Sequence, residues 1–198
     1  MYGERAEPAD LEAWRAMLER EPAVAVGEIG LDRYMEPRDD ALQEHYFVEQ
    51  LRIARDFGLP VILHVRRAID PILKQLRRIG VPGGIAHAFN GSRQQADEFI
   101  KLGFVLGFGG AMTFPRAARI RELAATLPLE AMVLETDAPD IPPAWKVGAR
   151  NTPDQLPRIA AELAALRNLP PADIIAATTG NAHRALPRLA HRIPNPDQ

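Results

Sequence analysis

The stretch Ala25-Val26-Gly27-Glu28-Ile29-Gly30-Leu31-Asp32 is an apolar run that ends on a carboxylate, Glu28, and then meets a glycine, Gly30. Three later runs finish in a similar way, each on a residue type that binds metals. They are Val61-Ile62-Leu63-His64, Gly84-Ile85-Ala86-His87 and Met132-Val133-Leu134-Glu135-Thr136-Asp137. Short apolar runs bounded by turn signals are the pattern of strands buried on both faces, and such strands belong to parallel sheets.

Working outward, the segments between the runs carry helical periodicity. Pro8 to about Glu21 places Leu11, Trp14 and Leu18 on one face. Asp39–Phe57 reads as a long helix with Phe47, Leu51 and Ala54 in register, stopped by Gly58. Asp70-Pro71 predicts an N-cap followed by proline at the first helical position, with Ile69, Ile72, Leu73 and Leu76 as the inward stripe and Gly80 as the stop. Ser92-Arg93-Gln94-Gln95 is a capping box for a helix to Leu102, and Gly103 ends it. Phe104–Gly110 is a further strand, with glycines at 107, 109 and 110 where backbone approaches something closely. A helix over Arg116–Thr126 precedes the Met132 strand. A proline-rich loop, Ala138–Asn151, follows it. Thr152-Pro153-Asp154-Gln155 reads as a second capping box, then helices run to about Leu189, and the tail from Pro194 is expected to fray.

Strand and helix thus alternate five times, which predicts an α/β chain with a parallel sheet in one domain spanning 1–198. A doubly wound open sheet and a TIM barrel both satisfy this alternation. No Gly-x-Gly-x-x-Gly turn opens a helix after the first strand. Polar residues at the C-terminal ends of several different strands favour the barrel, whose enzymes gather their chemistry there.

Composition sets bounds on function. The chain has 198 residues, 46% hydrophobic and 25% charged, with a net charge of −2, so no global basic field draws in nucleic acid. There is no cysteine, which excludes disulfides and thiolate metal sites. No apolar run approaches the roughly 20 residues of a bilayer span, and Met1–Arg5 lacks the layout of a secretory signal. A cytoplasmic protein without a membrane partner is expected; nothing in the sequence reports oligomeric state.

A lone histidine or carboxylate after a strand is ordinarily a hydrogen-bonded residue or a helix cap. Four of them, Glu28, His64, His87 and Asp137, at equivalent positions on four strands point instead to a shared divalent cation, because burying carboxylates without partners is costly. Two imidazoles and two carboxylates suit magnesium, manganese or zinc without choosing among them. Such a centre activates a bound water and polarises a carbonyl or phosphoryl oxygen, and Glu28 is placed to bridge if two ions bind. No nucleophile elbow or Walker loop competes. His45, His183 and His191 lie in helical segments and read as structural or surface residues.

Gly27-Glu28-Ile29-Gly30-Leu31-Asp32, His64-Val65-Arg66, His87-Ala88-Phe89-Asn90-Gly91-Ser92, Glu135-Thr136-Asp137-Ala138-Pro139, Arg150-Asn151-Thr152-Pro153 and Thr179-Gly180-Asn181 together resemble the TatD-related metal-dependent deoxyribonucleases, in order and over nearly the whole chain. The resemblance implies a TIM-barrel-type (β/α)8 fold and metal-dependent hydrolysis of DNA phosphodiester bonds, with two ions per complete site. It implies Glu28 as bridging ligand and His64 and His87 as ligands of one ion. Asp137 then binds metal and takes part in proton transfer, and Arg66, Asn90 and Arg150 contact phosphate or substrate. An ester, lactone or amide substrate on the same centre is the alternative, and a non-catalytic remnant is another. The family's opening His-x-His pair has no counterpart here. The resemblance therefore implies that only about the last five β/α units are present and the N-terminal strands are lacking. An unclosed barrel exposes two strand edges, so the chain alone is expected to be poorly stable and nearly inactive as a nuclease.

Overall fold

The computed structural model describes residues 6–191, apart from the side chains of Ala190 and His191. Met1–Arg5, the tail from Pro194 and the His191 side chain, on which expectations were stated, lie outside them. The fold is α/β, with five strands in which β1, Val26–Asp32, pairs parallel with β2, Val61–Arg66, and β4, Phe104–Phe108, pairs parallel with β5, Met132–Leu134. β3, Gly84–Ala86, lies between them in the chain. Among the described residues no helix is long and apolar enough to cross a membrane. The chain divides into two compact units, 1–85 with 185–198, and 86–184.

In the first unit, α1 (Pro8–Arg20) and α2 (Asp40–Asp56) flank β1 in sequence, and α3 (Ile69–Ile79) follows β2. α2 forms where expected: the Asp39 side chain accepts from the Leu42 N–H at 2.9 Å, and Phe47, Leu51 and Ala54 are buried. They meet Val26, Ile29, Leu31 and Leu63 in one apolar core, where each large side chain contributes about 1.5–3 kcal/mol. The Arg15 guanidinium of α1 holds Asp56 of α2 at 2.8 Å. The expected cap of α3 is corrected. The helix starts at Ile69 with Ala68 as N-cap, so Asp70 and Pro71 sit inside the first turn. Proline is tolerated there because the first N–H groups of a helix have no intrahelical acceptor.

A larger correction concerns β1. The strand does not end at Glu28 or break at Gly30; it runs on to Asp32. Gly30 serves close packing instead. A Cβ there would lie 2.8 Å from the His64 carbonyl carbon and closer still to its oxygen, so only glycine lets β1 pair with β2 at this point. Between Val26 and Ile29 β1 spends three steps against two on β2, Val61 to Leu63, which is a bulge at Gly27-Glu28.

In the second unit, α4 (Arg93–Lys101) follows β3, α5 (Ala118–Thr126) follows β4, and α6 (Leu156–Arg167) and α7 (Pro171–Ala185) follow β5. The Ser92–Gln95 capping box is present in full, and Gly103 stops the segment at φ +83°. Phe89, Phe99 and Phe104 stack edge to face in the core with Leu106, Phe108, Met132 and Leu163. The second expected capping box, at Thr152, does not form. Thr152 accepts from the Lys146 ammonium at 2.6 Å, the residues after it make a 3-10 turn, and α6 begins at Leu156. Asn181 of α7 is buried and donates to both the Leu129 and Met132 carbonyls at 2.7 Å, while accepting from Arg184 at 2.8 Å.

Candidate metal and phosphate site

In the first unit the bulge explains Glu28. One extra residue in the strand swings its side chain out of the regular alternation, and it meets His64 on β2, with Oε1 2.7 Å from Nδ1. The other ring nitrogen, Nε2, lies 3.1 Å from Oδ2 of Asp32. The imidazole is thus gripped between two carboxylates, one from the middle of β1 and one from its end. Asp32 is buried, and its Oδ1 accepts the Tyr34 N–H at 2.8 Å and the Met35 N–H at 3.2 Å. Burial alone pushes the Asp32 carboxyl up, but the Tyr34 amide, His64 and the Met35 amide outweigh it and hold it below the usual carboxylate range. A cavity of about 380 Å³ opens here, lined by Glu28, Asp32, His64, Tyr46 and Phe47 among others.

The donor chemistry fits a metal. With Nε2–H donated to ionised Asp32, the Nδ1 lone pair faces Glu28, and a neutral imidazole oriented by a carboxylate is the usual form of a histidine ligand. Nδ1 and Oε1 at 2.7 Å are close enough to share one ion.

In the second unit a histidine again stands near two carboxylates after β3 and β5, beyond hydrogen-bond distance. His87 Nδ1 lies 3.7 Å from Asp137 Oδ1 and 3.8 Å from Glu135 Oε1. Glu135 also accepts the Ala88 N–H at 2.6 Å, which fixes the turn carrying His87. Its carboxylate lies flat over Gly107 of β4, where a Cβ would sit 2.7 Å from Cδ. Ala88 and Asp137 both adopt left-handed φ, +45° and +55°. Non-glycine residues held there cost of order 1–3 kcal/mol each and cluster at functional sites.

Of the residues expected from sequence, Glu28 and His64 come together, and so do His87 and Asp137. Arg66 stands 3.9 Å from Asp32. Asn90 is exposed and accepts from Arg119 at 3.0 Å. Arg150 is exposed and makes no hydrogen bond or ion pair among the described residues. His45 is exposed on α2 and His183 is half-buried on α7. Three side chains that build the candidate site carried no assignment in the sequence. Asp32 and Glu135 are carboxylates that position histidines. Asn151, buried, ties the loop after β5 by donating to the Thr136 and Asp140 carbonyls at 2.7 Å. Each lies in a motif already quoted, beside the residue that drew attention.

The TatD related DNase family model matches residues 2–187. The chain belongs to the TatD family. Its relatives include the metal-dependent hydrolase YjjV of Escherichia coli, 43% identical over 91% of this chain and 71% of the relative. The 3'-5' ssDNA/RNA exonuclease TatD of Cronobacter sakazakii is 37% identical over 89% of this chain and 73% of its own length. The crystal structure of YjjV superposes with a TM-score of 0.89 at 42% identity, over 93% of this chain and 72% of that one. A TatD family hydrolase from Entamoeba histolytica, at 17% identity and TM-score 0.78, shares the fold. As a TatD family member the chain is a metal-dependent hydrolase, and a divalent metal is the cofactor of its class.

Proposed function

We propose that this TatD family chain, built on a TIM-barrel-type scaffold, hydrolyses phosphodiester bonds in DNA, with Glu28, His64, His87 and Asp137 as metal ligands. The observation that carries the reading is the grip on His64: an imidazole set between Glu28 and Asp32 has the arrangement of a histidine ligand beside an orienting carboxylate. The His87–Asp137 pair supplies the same donor types. The family description and the exonuclease name of a 37% identical relative support nucleic acid as the substrate class.

When bound, a divalent cation supplies polarisation of a phosphoryl oxygen and acidification of a water. The chain's own groups do the rest. Glu28 would hold the cation beside His64. Asp137, past the end of β5 on a left-handed turn, would hold the cation with its carboxylate and accept the proton of the water. Asp32 fixes the His64 tautomer. Arg66, Asn90 and Arg150 contact the substrate's phosphates.

The test is hydrolysis of a single-stranded DNA oligonucleotide beside p-nitrophenyl esters, with manganese present or chelated. The sequence alone implies near-inactivity, but Glu28, His64 and Asp32 come together within the first unit of this chain. Manganese-dependent cleavage of the oligonucleotide, lost in Glu28→Ala and His64→Ala, is therefore expected instead. Turnover of the esters with the oligonucleotide left intact overturns the reading.

A further inference from the structure

Beyond the strand ends, the first unit carries a cationic cluster that metal ligation does not explain. Arg66 and Arg67 both stand over the ring of Tyr34, their guanidinium carbons 3.9 and 4.6 Å from its centroid. Tyr34 is 48% exposed although two guanidiniums cover it, and Met35 beside it is 52% exposed. Guanidiniums over an aromatic face are held by the ring quadrupole, and their N–H edges remain open to hydrogen-bond elsewhere.

Two details make this a built arrangement. Arg67 sits at φ +54°, a conformation that glycine adopts without strain and arginine does not, so the turn after β2 carries a side chain at the expense of backbone ease. Among the described residues Arg67 has no carboxylate at ion-pair distance; its contact is Tyr34. Tyr34 in turn is placed by Asp32, whose Oδ1 accepts its N–H in an Asx turn while Oδ2 holds His64. One buried carboxylate therefore fixes both the proposed ligand and the cationic platform. Arg66 follows His64 by two positions on β2, so both side chains leave the same face of the strand.

We infer that Tyr34, Arg66 and Arg67 form a phosphate clamp for single-stranded nucleic acid, gripping backbone phosphates next to the one at the metal site. This rests on the proposed phosphodiesterase activity. Planar guanidiniums pre-set by a ring match phosphate bidentately, and a flexible strand offers successive phosphates along a short path. The nearby acidic groups do not cancel the charge. Asp32, 3.9 Å from Arg66, is shared with His64 and two amides and so offsets Arg66 only in part. Arg67 has no carboxylate at ion-pair distance among the described residues, and Glu36 and Asp40 are paired with Arg38.

The experiment measures fluorescence anisotropy of a labelled oligothymidylate of about ten nucleotides with the full chain in EDTA, so that binding is read without turnover. Arg67→Gln and Tyr34→Leu are each expected to weaken binding by about fivefold or more, and Arg67→Gln lowers the salt slope by about 0.7. Arg67→Lys recovers part of the affinity, and Tyr34→Phe keeps it, because the ring and not the hydroxyl seats the guanidiniums. Arg78→Gln, the same charge loss on exposed α3 surface, leaves binding unchanged. Equal weakening by Arg78→Gln and Arg67→Gln overturns the clamp, as does oligothymidylate binding that ignores Tyr34 and Arg67. Preference for anionic lipid vesicles over the oligonucleotide also overturns it. If the wild type binds as expected in EDTA yet cleaves no DNA with manganese, the clamp stands and the nuclease reading fails.

Discussion

Replacing Gly107 by alanine tests the role given to Glu135. The added methyl would lie 2.7 Å from Glu135 Cδ, nearer still to Oε2, and 3.1 Å from Oε1. β4 is buried throughout, so the strand cannot retreat and the carboxylate must swing away. In moving it gives up the 2.6 Å bond from the Ala88 N–H. Loss of a hydrogen bond to a charged group costs about 1.5–3 kcal/mol. Alanine's lower unfolded-state entropy returns about 0.4–1 kcal/mol. The net destabilisation is about 1–2 kcal/mol, read as a shift in the urea midpoint by circular dichroism. Gly180→Ala is the contrast. Its Cβ meets nothing within 4 Å and it lies exposed in α7, so the same change stabilises by about 0.5–1 kcal/mol. A double-mutant cycle isolates the cause: in a Glu135→Ala background the Gly107→Ala penalty should fall below about 0.5 kcal/mol. An undiminished penalty in that background would refute the reasoning.

Asn181→Ala removes a buried donor from the Met132 carbonyl and one of the two donors to the Leu129 carbonyl, which keeps the Met132 N–H, and should cost about 1–3 kcal/mol in urea unfolding. Asp32→Asn removes the charge that orients His64 and should weaken manganese binding about 10–100-fold by calorimetry. For Asp56 the sign follows from its depressed pKa, caused first by the hydrogen bond from Arg15 and then by that from Arg55. A carboxyl held low in the folded state stabilises above its unfolded pKa, and the contribution fades as pH falls through the folded value. Asp56→Asn should therefore cost under about 1 kcal/mol at neutral pH, since the pair is part-exposed, and nothing in strong acid.

What the sequence revealed and what it hid divide along one physical line. Local chemistry was legible: the Asp39 cap, the Ser92 box and the stop at Gly103 each depend on residues within a few positions. So were strand cores, because burial on both faces writes itself as an apolar run. Long-range geometry was not. Gly30 looks like a terminator until its partner is known to be the His64 carbonyl. Asp32 carries no assignment in the sequence because its decisive neighbour, His64, comes from another strand. Glu28 reads from sequence as a carboxylate at a strand end, whereas β1 runs on to Asp32. The bulge that turns it out mid-strand appears only in the register between β1 and β2. Thr152 does not cap because the Gln155 N–H bonds to the Thr152 carbonyl in a 3-10 turn and the Gln155 side chain accepts from Trp145, a distant partner no motif encodes.

The Asn151 tie has a consequence for how this protein can change. By donating to the Thr136 and Asp140 carbonyls, one amide cinches both ends of the proline-rich loop beneath Val147-Gly148-Ala149-Arg150. That tip is exposed, with Val147 at 66% and Gly148 on a left-handed turn with open space around it. Length and composition can therefore drift at the tip without moving the backbone of Asp137. A lineage could retailor what the loop touches while the carboxylate proposed for catalysis stays anchored, so novelty and chemistry are inherited from opposite ends of the same loop.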